Sequence, residues 1–206
     1  MLKKEHEILK PFAEKPWQKL TFKQIGVASK KKSKSYIFKT LKNFVKEGII
    51  KKEKVGNVLL YSMNFSSMKA LSCLGFVAEY AAFGRKSIPA KDLEKIASKI
   101  PTNFCILIVT GSYAKGEQKA SSDLDLVILC EDSLDPNQIY SELRYDCEMN
   151  IPKIHLYVFT TGQFLKMLLD KKQNYGKEIA GSALIFSGAK EYLNIMKEAV
   201  KNGFNG

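Results

Sequence analysis

Two carboxylates, Asp123 and Asp125, follow the pair Gly111-Ser112 after ten intervening residues, within the run GSYAKGEQKASSDLDLVIL. The chemistry such residues suit is the holding of a nucleoside triphosphate and its magnesium ions. Residues 104–110 (FCILIVT) form a short apolar run rich in β-branched types, which predicts a strand buried on both faces. Gly111 permits a sharp exit from that strand and a close approach to the backbone. Ser112 adds a hydroxyl and an N–H where a helix is expected to start, and free N–H groups there favour phosphate. Residues 123–130 (DLDLVILC) predict a second strand. Its alternation puts Asp123 and Asp125 on one face and Leu124, Leu126 and Ile128 on the other. Two neighbouring carboxylates repel unless a cation lies between them. Magnesium takes few carboxylates and fills its shell with water and phosphate. Two such ions, about 3.5–4 Å apart, activate an attacking oxygen and stabilise a leaving one. Lys115, on the loop, and Ser122, beside Asp123, are further candidate nucleotide contacts. A merely solvated strand edge would not put two acids into an otherwise apolar strand.

This run, with its spacing and its strand–turn–strand setting, resembles the signature of the minimal nucleotidyltransferases of the DNA polymerase β superfamily, over roughly residues 100–201. The resemblance implies that Gly111 and Ser112 hold the triphosphate and that Asp123 and Asp125 hold two Mg2+ ions. It also implies transfer of a nucleoside monophosphate from an NTP to a hydroxyl acceptor, with release of pyrophosphate. In that family a third carboxylate stands on a later strand. Here the corresponding stretch, residues 153–160 (KIHLYVFT), has no Asp or Glu, and His155 occupies about that position. His155 is the candidate third catalytic residue, able to accept a proton or bind a softer metal. Glu148 or Asp146, from the preceding segment, are alternatives. A hydrogen-bonded structural histidine is the other reading of His155.

The formal net charge of +12 is unevenly placed. Residues 1–61 hold sixteen lysines, no arginine and five glutamates (+11), and the remaining 17 basic and 16 acidic residues leave +1. A field confined to the first third of a chain favours nucleic acid or an anionic surface. Within it, apolar spacing predicts helices over 5–12, over 21–29 with Thr21 as cap, and over 33–47 ending at Gly48. Strands around Val55-Gly56-Asn57 follow, reaching Tyr61. This order resembles a winged helix-turn-helix domain, over about residues 5–64. The resemblance implies a third helix in the major groove and a wing on the backbone. Lys30, Lys31, Lys32 and Lys34 would stand at the start of that helix. Ser35, Lys39 and Lys42 would face double-stranded DNA, and Lys51, Lys52 and Lys54 would lie on the wing. Lysine suits phosphates better than bidentate guanine contacts, so phosphate affinity is expected to dominate.

The expected fold class is α+β. A winged helix (1–65) and a helical linker (66–100) precede a small nucleotidyltransferase-like α/β domain with a mixed sheet (101–206). Cys73, Cys105, Cys130 and Cys147 form no CxxC pair and read as free thiols in a reducing cytoplasm. The longest apolar stretch, 70–83, contains Glu79 and is short for a membrane span, so no membrane partner is expected. A homodimer is expected from the two half-sites that winged helices commonly read. Two other functions fit the same residues. One is a transcription regulator with a catalytically inactive nucleotide-binding domain. The other is an antitoxin-like protein modifying a toxin partner as its protein acceptor.

Overall fold

The computed structural model describes residues 4–206. After a 3-10 turn at Lys4–Ile8, the first helix, α1, covers Lys10–Glu14. The single helix expected over 5–12 is divided because Pro11 lacks an N–H and is tolerated only in a first helical turn, where the structure puts it. A two-residue strand, β1 (Leu20–Thr21), precedes α2 (Phe22–Ala28). So short an element has no periodicity to reveal it. Thr21 and Gln24 form a reciprocal capping box at the start of α2. Helix α3 (Lys34–Lys46) is capped by Ser33 and buries Ile37, Thr40, Leu41 and Phe44 along one stripe. Strands β2 (Ile50–Val55) and β3 (Val58–Met63) form a hairpin closed by Gly56 and Asn57, and β1 pairs with β3. The resulting sheet is antiparallel, in the order β1-β3-β2.

Helix α4 (Met68–Phe83) joins the two halves by packing into both. Ala70, Leu71, Leu74 and Val77 belong to the N-terminal core, whereas Ala82 belongs to the core beneath the second sheet. A Cβ added at Gly75 would lie 3.1 Å from the Lys190 backbone nitrogen, so α4 and the last helix approach closely at that point. Four residues on, Glu79 Oε1 accepts a hydrogen bond from the Ala189 N–H at 2.9 Å. That N–H opens α10 (Ala189–Lys201), whose N-cap, Gly188, has no side chain to offer. Glu79 therefore caps another helix from a distance and locks α4 to it. Glu79→Ala is expected to cost about 1 kcal/mol, read as a lower midpoint in urea unfolding.

The second sheet has the order β6-β5-β4-β7. Its strands are β4 (Ile106–Thr110), β5 (Leu124–Cys130), β6 (Ile154–Thr160) and β7 (Leu184–Ser187). β5 and β6 run parallel and the other pairs antiparallel, so the sheet is mixed, within an α+β protein. On one face, Leu124, Leu126 and Ile128 pack with Leu93 and Ile96 of α5 (Ala90–Ala97) and Ile139 and Leu143 of α7 (Pro136–Glu148). On the other, Val127 and Leu129 pack with Phe164 and Leu168 of α8 (Thr161–Leu169), Ile179 of α9 (Tyr175–Ser182) and Tyr192 and Met196 of α10. Asp125 belongs by alternation to this second face, where α9 stands.

Gly181 and Ser182 end α9. Two glycines in eight residues suppress the local helical signal, and burial of Ile179 and Ala180 overrides it. Cys73, Cys105, Cys130 and Cys147 are free. Burial raises all four thiols, Cys147 up to about 11, which keeps them protonated and unreactive. Among the described residues, no helix is long and apolar enough to cross a membrane.

Candidate active site

The last residue of β4, Thr110, is paired across the sheet with Asp125. Gly111 then turns the chain into α6 (Gly111–Lys115) with φ +67°. A Cβ built on Gly111 would fall 2.0 Å from Asp125 Oδ2. Only glycine satisfies both the backbone angle and this proximity. The turn thus lies directly against the carboxylate. Thr110 does not cap α6, because its hydroxyl shares a 2.8 Å hydrogen bond with that of Ser182 on α9. α9 is thereby held across from the turn, and a cleft of about 480 Å³ opens between them.

Gly111, Lys115 and Asp125 line this cleft, together with Tyr157, Gln173, Tyr175, Lys177 and Glu178. Ser112, Ser122 and Asp123 do not. Ser112 is half-buried at the start of α6. Ser122 Oγ accepts from the Lys119 N–H at 2.9 Å, which shapes the loop leading into β5. Asp123 is exposed one residue before β5 begins. Asp125 is more enclosed, and burial is the main cause that holds its carboxyl above the usual range. His155 pulls it down, and Asp123 adds to the rise.

His155 is the parallel-ladder partner of Asp125, and its Nδ1 lies 3.8 Å from Asp125 Oδ1. It is exposed, and its other near neighbour is the Tyr157 hydroxyl, 3.3 Å from the same nitrogen. Of the three candidates for a third polar group, His155 alone adjoins Asp125. Both carboxylate oxygens of Asp146 are bound by Lys99 Nζ at 2.6 Å, between α7 and the loop after α5. Glu148 is exposed at the end of α7.

The rings of His155 and Tyr157 lie 4.9 Å apart, and those of Tyr157 and Tyr175 4.6 Å, making an aromatic wall on the β6 side. Burial raises the Tyr175 hydroxyl far above its ordinary range, and the atom lacks a well-formed hydrogen bond. Tyr175, Gln173, Lys177 and Glu178 escaped sequence reasoning. Their one linear trace is the mixed polar and aromatic run QNYGKE, which has no recognisable spacing to the aspartates. Among the described residues, no group of three or more His, Cys, Asp or Glu could hold a metal by itself. Asp123 and Asp125 offer two carboxylates to a shell that substrate phosphates and water would have to complete, as magnesium sites commonly allow.

Residues 105–179 match the family model described as nucleotidyltransferase domain, a span from just before β4 to within α9. A chain in a crystal structure of a toxin–antitoxin with AMP-PNP is similar over 55% of this chain and 86% of its own, at 16% identity and a TM-score of 0.41. No curated protein matches the chain.

In the N-terminal third of the chain, Lys34, Ser35, Lys39 and Lys42 are exposed on α3, off the stripe of Ile37, Thr40, Leu41 and Phe44 that it buries. Lys51, Lys52 and Lys54 are exposed along β2, at the edge of the first sheet. Lys30 and Lys32 are exposed in the turn between α2 and α3, where Lys30 adopts φ +55°. Lys31 differs in being half-buried and ion-paired with Glu7. Lys30, Lys31, Lys32 and Lys34, with Lys23, surround a groove of about 670 Å³ floored by Phe22, Val27 and Ile37.

Proposed function

We propose that the protein is a DNA-binding, magnesium-dependent nucleotidyltransferase. On this reading, a winged helix at its N-terminus, residues 1–65, is coupled through 66–100 to the transferase domain at 101–206. The observation that carries the catalytic half is the Gly111 turn set against the Asp125 carboxylate, inside a span that matches the nucleotidyltransferase family. Gly111, Ser112 and Lys115 bind the phosphates of the NTP, with Ser122 shaping the loop that presents Asp123. Magnesium bound by Asp123 and Asp125 would neutralise the triphosphate and activate the acceptor hydroxyl. His155, beside Asp125 and open to solvent, takes the acceptor's proton in place of a third carboxylate. Most of the rate derives from positioning and charge neutralisation. The test offers each labelled triphosphate with magnesium and follows pyrophosphate release and label transfer. A protein that binds triphosphate yet releases no pyrophosphate with any acceptor would fit the inactive regulator instead.

The DNA-binding half rests on the separation of surfaces along α3, whose lysines face outward while its apolar stripe is buried. The helix order α1-β1-α2-α3 followed by a hairpin that pairs back to β1 supports the winged-helix reading. Affinity for duplex DNA is expected to fall steeply with salt. The triple variant Lys34→Gln, Lys39→Gln, Lys42→Gln should lower the slope of log K against log salt by about one unit per lysine that meets a phosphate. Fluorescence anisotropy across a salt series measures this, and an unchanged slope removes α3 from the interface.

A further inference from the structure

The cleft continues past Ser182. A smaller cavity of about 210 Å³ shares Lys115, Gly181 and Ser182 with it, and its far wall comes from outside the transferase domain. Lys15 contributes from the end of α1, and Arg85 from the loop after α4. Glu14 also lines this wall, but Lys10 lies 3.6 Å from it and offsets its charge. The Arg85 Nε is buried without a hydrogen-bond partner. That nitrogen has no accessible surface, so an oxyanion in the cavity would be met by the other N–H groups of the guanidinium, which lines it. Gly181 lines both cavities and leaves room where they adjoin, since a Cβ added there would meet no atom within 4 Å.

The joined trench is therefore polarised. Aromatic rings, Tyr157 and Tyr175, line the larger cavity with Asp125, Gly111 and the opposed charges Lys177 and Glu178, Lys115 is shared by both cavities, and Arg85 and Lys15 line the smaller one. We propose that Arg85 and Lys15 form a subsite for the terminal phosphates of the nucleotide, built only when the N-terminal module is docked on the transferase domain. This rests on the nucleotide reading of the same cleft and adds an orientation to it. The base lies on Tyr157 and Tyr175, the α-phosphate beside Asp125, and the pyrophosphate portion toward Arg85. A triphosphate then bridges the two modules and a monophosphate does not, so triphosphate binding favours the docked arrangement of the DNA-binding half.

Calorimetric titration of the full chain with AMP, ATP and inorganic tripolyphosphate tests this. The wild type should bind ATP at least tenfold more tightly than AMP, and Arg85→Gln should erase most of that preference while leaving AMP affinity unchanged. Lys15→Gln should reduce it several-fold. Gly181→Leu, which puts a side chain where the two cavities adjoin, should weaken ATP more than AMP in a protein with unaltered folding. Tripolyphosphate binding that survives Arg85→Gln and Gly181→Leu, or equal losses for AMP and ATP, overturns the subsite. A wild type that binds tripolyphosphate through Arg85 but no AMP would sink the nucleotide assignment and leave the phosphate subsite standing. Equal wild-type affinity for AMP and ATP would do the reverse.

Discussion

Asp125→Asn should reduce nucleotidyl transfer by about three orders of magnitude while making the protein more stable. The loss follows from geometry. Asp125 is the one carboxylate of the Asp-x-Asp pair that lines the cleft, and it lies against the Gly111 turn where phosphates are proposed to sit. An amide keeps the shape but does not attract the cation that would neutralise the phosphates. The stability gain follows from burial. In the folded protein the carboxyl is held above its ordinary pKa, chiefly by desolvation. Between the ordinary and the raised values, the native state retains a proton that the unfolded chain has released. Native stability therefore falls as pH climbs through that window, and the deficit persists above it. Asparagine carries no such penalty. The variant should melt higher than wild type near neutral pH, with the difference vanishing below the ordinary carboxylate pKa. Thermal melts across pH, beside label transfer, measure both effects. A variant that loses stability at neutral pH, or keeps its activity, removes Asp125 from the centre of the site.

Gly111→Ala should also abolish transfer, by about two orders of magnitude or more, but with stability moving the other way. A side chain at φ +67° costs about 1–2 kcal/mol in backbone strain alone. The methyl would also fall 2.0 Å from Asp125 Oδ2, so either the turn or the carboxylate must move. Both outcomes separate the phosphate-binding backbone from the metal-binding acid. A melting temperature lower by several degrees is expected. The collision is specific, so removing its other partner should relieve it. In the double variant Gly111→Ala, Asp125→Ala, the stability loss should be smaller than the sum of the single losses. Additive losses would mean that the clash contributes nothing and that backbone strain accounts for the whole effect.

The parts of this site that were legible in sequence share one property, short range. Gly111, Asp123 and Asp125 are joined by a turn and a strand, so spacing and alternation together place them. Thr21 announces the start of α2 because a cap needs only the residues that follow it. Local reasoning was weaker where burial decided. Asp123 and Asp125 share a face by alternation, yet the cleft takes in Asp125 and leaves Asp123 exposed before the strand. Three polar groups, His155, Asp146 and Glu148, competed for one role on the linear chain. The parallel pairing of β5 with β6 put His155 beside Asp125, and Lys99 engaged Asp146.

By itself, then, the chain determined its basic first third, its alternating apolar strands and the Gly-Ser to Asp-x-Asp spacing, since each is a property of neighbours along the backbone. Only the tertiary structure decided the walls of the two cavities. Tyr157 and Tyr175 meet in one through a strand and a helix, and Lys15, Arg85 and Lys115 converge on the other from three segments remote in sequence. Convergence of that kind depends on how α4 packs against both halves. Hydrophobic burial sets that packing by total shape and area, which no local pattern of residues records.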